Sequence, residues 1–499
     1  MKTTSTSSYF NVLCENISGY HDEIQTPYGS FRNVYFDWTA TGRGFLPIEK
    51  LMIEIGAHAG NPHTESNYTG KHSTVSYEKA LLTIKKHVGA DESDVVLGVG
   101  SGATAAINKL HRLLGIRYPE QLMPFIDLPD NKRPVTFVTN MEHHSNHTSW
   151  LETISDVVVL EPNENGDVDA KQLEIALEPY REREVKIGSF TACSNVTGIE
   201  TPYHELAKVM HEHNGYCFID FAASAPYVPI NMHPENPEER LDAIFFSPHK
   251  MLGGQRTCGI LVFNKSLCKN SIPDHPGGGT VLYTTPWEGR KYFEEIQVRE
   301  DGGTPPFLQI IQVSQCLRLK EQMLENRMQE RKEMLLRHMW SGLSEMEGVT
   351  ILERNKSKRQ GIISFYAVNI HHSLLAKLLN DRYGIQVRPG CSCAGTYGHY
   401  LLKIGPKESK YITNDLDNGQ LASKPGWVRA SLHPTNTIEE IDFFLSALQA
   451  IIQNFEIWKK EYVYCQTSNE YKHITESDIA APSTLSWEKY MIKPSVNIN

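Results

Sequence analysis

No apolar run in this 499-residue chain approaches the 18 or more residues that a membrane-spanning helix needs, so a membrane protein is not expected. Lysine and arginine number 49 against 59 aspartates and glutamates, for a net charge of -10, and they form no dense cluster. A nucleic-acid partner calls for a basic patch and is not expected either. The nine cysteines, spread from Cys14 to Cys465, make no regular framework, which argues against a disulfide-stapled secreted scaffold and for a reducing compartment. The opening MKTTSTSSYFNVLCENISGY has neither an arginine nor an apolar stretch, a poor match to a transit or signal peptide, and the expected location is the cytoplasm. There is no internal repeat. What remains is a globular chain, 40% hydrophobic and 22% charged, long enough for two or more domains and suited to small-molecule chemistry.

From about residue 90 to 265, short β-branched runs alternate with helical patterns. DVVLGV, PVTFVT, DVVVLEP, VKIGSFTA, GYCFIDFA, LDAIFFS and CGILVF read as buried strands; ATAAINKLHRLLG, AKQLEIALEPYRER and YHELAKVMHEHNG read as helices. The alternation predicts an α/β fold, a mostly parallel mixed sheet flanked by helices, with ligands at the carboxyl ends of the strands. A polar, Gly/Pro-rich connection follows residue 269 and is long enough to be expected to have a function. One long helix is then expected over about 306–343, and after it a smaller C-terminal α+β domain over 344–460, whose last helix opens on a capping box, Thr437 to Glu440. The expected division is an N-terminal segment 1–33, a large domain 34–305, the linking helix 306–343, the small domain 344–460 and a tail 461–499 with little apolar periodicity.

Several strand ends carry chemistry. In FFSPHKMLGG a strand ends and Ser247, His249 and Lys250 follow in a turn. A lysine amid apolar residues and glycines shifts its pKa readily and forms Schiff bases with carbonyl compounds, although a surface turn is the plain alternative. Asp220 closes YCFID, where a carboxylate needs a positive partner such as the protonated ring nitrogen of a bound cofactor. In GSGATAAIN, small residues lead into a helix whose first N–H groups, at Ala103 and Thr104, can grip an anion. His143 in MEHHSN and Asn195 in CSNVTG follow other strands. In VRPGCSCAG, Cys391 and Cys393 admit a metal half-site, a redox pair or one nucleophilic thiol beside a bystander.

Taken in order, His143-His144, Asn195, Asp220, Ser247-x-His249-Lys250, Gly303-Thr304, Arg388-x-Gly390-x-x-Cys393 and Arg429-x-Ser431 resemble the pyridoxal-phosphate-dependent class V aminotransferase family of fold type I, in its cysteine desulfurase/selenocysteine lyase branch. The resemblance runs from about residue 34 to 455. It implies that Lys250 binds pyridoxal 5'-phosphate covalently and shuttles protons, that Asp220 holds the ring nitrogen protonated, that His143 stacks on the ring, and that Asn195 sits near the ring hydroxyl. It further implies phosphate contacts from Ala103, Thr104, Ser247 and His249, joined by Thr304 of a second subunit, hence a homodimer with shared sites. Arg429, with Arg388 nearby, binds the substrate carboxylate. Cys393 becomes the nucleophile that takes sulfur from cysteine, leaving alanine and a persulfide for a possible acceptor protein, and the loop behind Pro389-Gly390 gives it mobility.

The chain departs from the family's pattern in three places. Ala223 stands where a glutamine usually contacts the ring hydroxyl, with Ser224 beside it; Cys391 replaces a histidine two residues before the nucleophile; and the stretch 394–427 is longer than usual, enough to cover the site or restrict the substrate. Two other readings therefore stand: a class V aminotransferase, lyase or epimerase for another amino acid, and a catalytically silent protein of this fold. A zinc site lacks a second cysteine pair, and a disulfide between Cys391 and Cys393 would be strained.

Overall fold

The computed structural model of the chain describes residues 6–475 apart from residues 357 and 467. Its centre is a seven-stranded sheet in the order Asp94–Val99, Gly259–Asn264, Ala243–Phe246, Tyr216–Asp220, Lys186–Thr191, Val135–Thr139, Asp156–Leu160. Neighbours pair in parallel except Gly259–Asn264, which runs antiparallel to both strands beside it. The mostly parallel mixed sheet expected from the alternation is therefore present, and all seven runs are strands. Asp156–Leu160 differs in being only partly buried, because it ends the sheet and has a neighbour on one side only.

The sheet's two faces are covered by separate apolar clusters. One holds Phe137, Phe190, Ile219, Phe246 and Ile260 under the Tyr68–His87 and Phe307–Glu325 helices; the other holds Leu97, Val138, Phe218, Phe245 and Leu261 with the Gly102–Leu113 helix. Register then decides where the site lies. Thr191 pairs with Asp220 and Asp220 with Phe245, so three neighbouring strands end level, and the turns after them meet on one edge.

The smaller domain is a four-stranded antiparallel sheet in the order Val349–Ile351, Ile362–Ala367, Trp427–Ser431, Arg388–Gly390, packed with the helices Met328–Glu345, His372–Tyr383 and Ile438–Trp458. The last of these helices has the expected capping box, Thr437 and Glu440 exchanging hydrogen bonds, worth about 1 kcal/mol.

Two expectations need correction. The single linking helix is two, Phe307–Glu325 and Met328–Glu345, broken where Arg327 takes a left-handed φ of 64°. Ile310, Leu317 and Met323 serve the large core while Leu335, Met339 and Leu343 serve the small one, so the direction must change between them, and a sequence with good helix formers on both sides does not show it. The segment from residue 34 does not join the large domain at once: Val34–Tyr35 pairs with Ile385–Gln386, and Val34 and Phe36 sit in the small core. Where the tail is described, Tyr462–Cys465 and Glu470–His473 form a hairpin; the expectation for 476–499 falls outside the described residues. The 394–427 stretch folds as the helices Gly395–Leu402 and Pro406–Asp417, the second with no buried residue.

The connection after residue 269 contains a hairpin, Val281–Thr284 with Arg290–Tyr292, carrying an exposed Trp287 between its strands. No helix among the described residues is long and apolar enough to cross a membrane.

Candidate active site

A cavity of about 320 Å³ opens where the sheet's carboxyl edge meets the small domain, within the roughly 300–1,000 Å³ typical of small-ligand pockets. Its wall brings together Ala103, Thr104, His143, Asn195, Asp220, Ser247, His249, Lys250, Arg388, Cys393 and Arg429. Residues more than 300 positions apart meet because parallel strands deliver their ends to one edge and the Trp427–Ser431 and Arg388–Gly390 strands face that edge from the other domain. Thr304 is the exception. It is exposed, accepts a hydrogen bond from Asn61 Nδ2 at 3.1 Å, and does not line this chain's cavity.

Asp220 ends its strand buried, with Oδ1 accepting from the Ala222 N–H at 2.7 Å, and burial pushes its carboxyl up to about 6. Lys250 follows Ser247 in a short 3-10 turn, and burial lowers its ammonium while Asp220 opposes the shift and Arg429 adds to it. A lysine so lowered is closer to the neutral amine that attacks a carbonyl. His143 caps the His144–Leu151 helix, its Nδ1 accepting from the Ser145 N–H at 3.1 Å, which places the proton on Nε2. Burial and Lys250 push it down to about 3, so a neutral ring faces the cavity. At the far end the Ala103 N–H donates to Ser247 Oγ at 2.8 Å, at the start of a twelve-residue helix. A side chain at Gly102, φ 64°, would meet that hydroxyl at 2.9 Å.

The arginine side of the cavity is built on a residue that the sequence reading missed. Asp37 Oδ1 accepts from Arg429 Nη2 at 3.0 Å, and its Oδ2 from Arg388 Nη2 at 3.0 Å and Nε at 3.1 Å. Asp37 reaches both arginines because it bridges to Ser431 in parallel, just beyond the Val34–Tyr35 strand. The end of VYFD was the available signal. Arg429 Nη1 donates to the Asn195 carbonyl at 3.0 Å, while its buried Nε and the buried Asn195 Oδ1 have no hydrogen-bond partner. Thr39 and Ser145 line the cavity and were missed as well.

Beneath the site, the buried Glu142 accepts from the Thr139 N–H and hydroxyl, the Thr191 N–H and Asn146 Nδ2, tying two strand ends to the His144–Leu151 helix. Burial pushes it up to about 8, with Asp220 adding to the rise, although the hydrogen bonds from Asn146, the Thr139 hydroxyl and the Thr191 N–H pull the other way. A carboxyl raised from about 4.5 stabilises the fold fully below that value, and the contribution is lost as pH rises through about 8. Glu142→Gln is therefore expected to flatten the fall of melting temperature between about pH 5 and 8 relative to wild type; parallel slopes in the two proteins would refute it.

The cysteine loop is held rather than loose. Ser392 and Cys393 both adopt left-handed φ, 53° and 56°, a conformation costing about 1–2 kcal/mol per non-glycine residue. Asn195 Nδ2 donates to the Ser392 carbonyl at 2.7 Å, and the His144 N–H to the Cys393 carbonyl at 2.8 Å. The expected mobility behind Pro389-Gly390 is thus restrained, with strain stored in the loop. Cys393 is exposed and lines the cavity; Cys391 packs instead against the apolar cluster of Ala394, Tyr397 and Trp427, as a space-filling side chain. Neither cysteine belongs to a group of three potential metal ligands among the described residues.

Ala223 lines the cavity, whereas Ser224 does not, and its buried hydroxyl has no partner, so it does not replace the glutamine. No residue of 395–427 lines the cavity, so that stretch does not cover it from within. The buried acid, the lowered lysine, the neutral ring, the helix N-terminus and the unpartnered Asn195 and Arg429 atoms together fit a ring-and-phosphate carbonyl cofactor.

The family model for Aminotransferase class-V matches residues 34–444. A probable cysteine desulfurase of Halalkalibacterium halodurans is 27% identical over 76% of this chain and 89% of its own length. A cysteine desulfurase of Haloferax volcanii is 24% identical over 88% of this chain and 92% of its own. Among solved structures, the apo cysteine desulfurase of Thermococcus onnurineus superposes with a TM-score of 0.70 at 23% identity, covering 89% of this chain and 98% of that one, which shows the same fold.

Proposed function

Because the chain belongs to the class V aminotransferase family, we propose that it is a pyridoxal-phosphate-dependent enzyme that takes sulfur from L-cysteine, leaving L-alanine and a persulfide on Cys393. The observation that carries this reading is that the exposed Cys393 opens into the same cavity as Lys250, Asp220 and Arg429. When bound, pyridoxal phosphate supplies an electron sink that acidifies the substrate's Cα–H and labilises its Cβ–S bond.

This chain's residues supply the rest. Asp220, raised only to about 6, is ionised at neutral pH and holds a proton on the ring nitrogen. His143 offers its neutral face, and Asn195 the amide oxygen that has no protein partner. Ala103, Thr104, Ser247 and His249 grip the phosphate, with Thr304 reaching in from a second subunit; its place outside this chain's cavity supports a homodimer with shared sites. Arg429 binds the substrate carboxylate through the Nε that has no protein partner. Lys250 Nζ would accept the Cα proton, give one to the carbon that loses sulfur and return one to Cα, as alanine requires.

At Cys393 the thiolate attacks the substrate Sγ: the new S–S bond forms as the Cβ–Sγ bond breaks, its electron pair stays with the carbon, and protonation gives alanine. Exposure of Cys393 leaves the outer sulfur open to an acceptor thiol, and the need for a reduced nucleophile fits a reducing, cytoplasmic setting.

Ala223 favours one competing reading, an aminotransferase, lyase or epimerase of the same family, because the ring hydroxyl lacks the family's usual contact there. The purified protein, supplied with cofactor and assayed for alanine, sulfide and keto acid in parallel, decides. Alanine with sulfide supports desulfuration, and a keto acid with neither sinks it.

Asp37 tests the carboxylate site. Asp37→Asn removes the charge that holds two guanidiniums side by side, and KM for the amino acid is expected to rise on the order of tenfold with a smaller change in kcat. An unchanged KM would mean that the Asp37 pairing does not orient Arg429.

A further inference from the structure

We propose that His144 is a positioning residue that clasps the Cys393 loop to the turn bearing His143, so that one turn sets both the cofactor's ring face and the nucleophile. The proposal rests on the desulfurase reading for its consequence in catalysis, and on the geometry alone for the clasp.

Two hydrogen bonds from one residue close it. The His144 backbone N–H donates to the Cys393 carbonyl at 2.8 Å, and His144 Nε2 accepts from the Gly395 N–H at 3.0 Å. Gly395 is the first residue of the Gly395–Leu402 helix, whose preceding Ala394 supplies no side-chain cap, so the imidazole takes that place from across the domain boundary. The approach is close: a Cβ on Gly395 would lie 3.2 Å from His144 Nε2. One residue further along, Thr396 Oγ1 and His147 Nδ1 are 3.2 Å apart, a second contact between the same two helices.

What is clasped is strained. Ser392 and Cys393 are both left-handed, following Gly390 at φ 96°, and Asn195 Nδ2 holds the Ser392 carbonyl from the other side. Such a conformation persists only where its surroundings over-determine it. His144 does not line the cavity, so changing its side chain leaves the cavity wall itself intact. Accepting through Nε2 requires the imidazole to be neutral, and burial with Lys424 nearby lowers its pKa in that direction.

Two variants separate the clasp from general packing: His144→Phe keeps a ring without an acceptor, and His144→Gln keeps a carbonyl acceptor. Cys393 alkylation by iodoacetamide, followed by mass spectrometry with the partly exposed Cys465 as the internal reference, is expected to be several-fold faster in H144F and near wild type in H144Q. With L-cysteine, H144F is expected to lose kcat on the order of ten- to a hundredfold with little change in KM, because the nucleophile is misplaced rather than the substrate. Wild-type alkylation rates in H144F, or equal acceleration in H144F and H144Q, would overturn the clasp. Alkylation needs no turnover, so a wild-type protein that makes no alanine would sink the desulfurase reading while the comparison of variants still decides the role of His144.

Discussion

Lys250→Ala is expected to abolish alanine formation from L-cysteine, a loss of at least about a thousandfold, and to leave the protein unable to hold the cofactor covalently. The argument starts from position. Lys250 follows a fully buried strand and faces Asp220 across the cavity, in a place where burial lowers its ammonium and no solvated role explains it. Removing a buried cation that burial already disfavours does not cost the fold a salt bridge, since none is formed by Lys250 Nζ with Asp220 within ion-pair range among the described residues. Thermal unfolding of the apo protein should therefore be little changed, while absorbance of bound pyridoxal phosphate and turnover are lost together. A variant that keeps turnover would place the chemistry on another amine, and a variant that loses only stability would make Lys250 a structural residue.

Cys393→Ser carries the second large effect. A hydroxyl is a far weaker nucleophile toward sulfur than a thiolate, so alanine from L-cysteine should fall at least about a thousandfold, while cofactor and substrate still bind. Cys391→Ala should do little by comparison, because Cys391 packs with Tyr397 and Trp427 and does not line the cavity. The contrast between the two single variants separates a lone nucleophile from a cysteine pair. If C393S keeps full turnover of an amino acid other than cysteine, the aminotransferase, lyase or epimerase reading gains what the desulfurase reading loses.

The large domain was legible because parallel-sheet strands are continuous β-branched runs separated by amphipathic helices, and the strand ends then name the site: Asp220, Ser247 and Lys250 stand where a strand stops. Lys250, Asp220, His143 and Cys393 stand out by residue type at strand ends and turns, Arg429 through the family resemblance, and all five line one cavity. What stayed hidden depends on tertiary packing. Asp37 follows a two-residue strand, Val34–Tyr35, that pairs with Ile385–Gln386, and the local signal, an acid at the end of VYFD, does not point to two distant arginines as its partners. Glu142 looks like an ordinary polar residue until four donors from two strand ends and a helix converge on it. The break at Arg327 has no proline or glycine to announce it, because the demand for it comes from two cores with different axes. The loop behind Pro389-Gly390 reads as mobile by composition and is instead pinned by Asn195 and His144, residues roughly 200 or more positions away.

The central claim is that Cys393 accepts sulfur from an amino acid bound beside Lys250. The measurement that tests it most directly is a single turnover: cofactor-loaded protein mixed with less than one equivalent of L-cysteine, quenched, and examined for alanine and by peptide mass mapping. The account predicts alanine in the amount of cysteine consumed and one added sulfur atom on the peptide that contains Cys393, absent in C393S. A keto acid as the product, with no sulfur on that peptide, would contradict it.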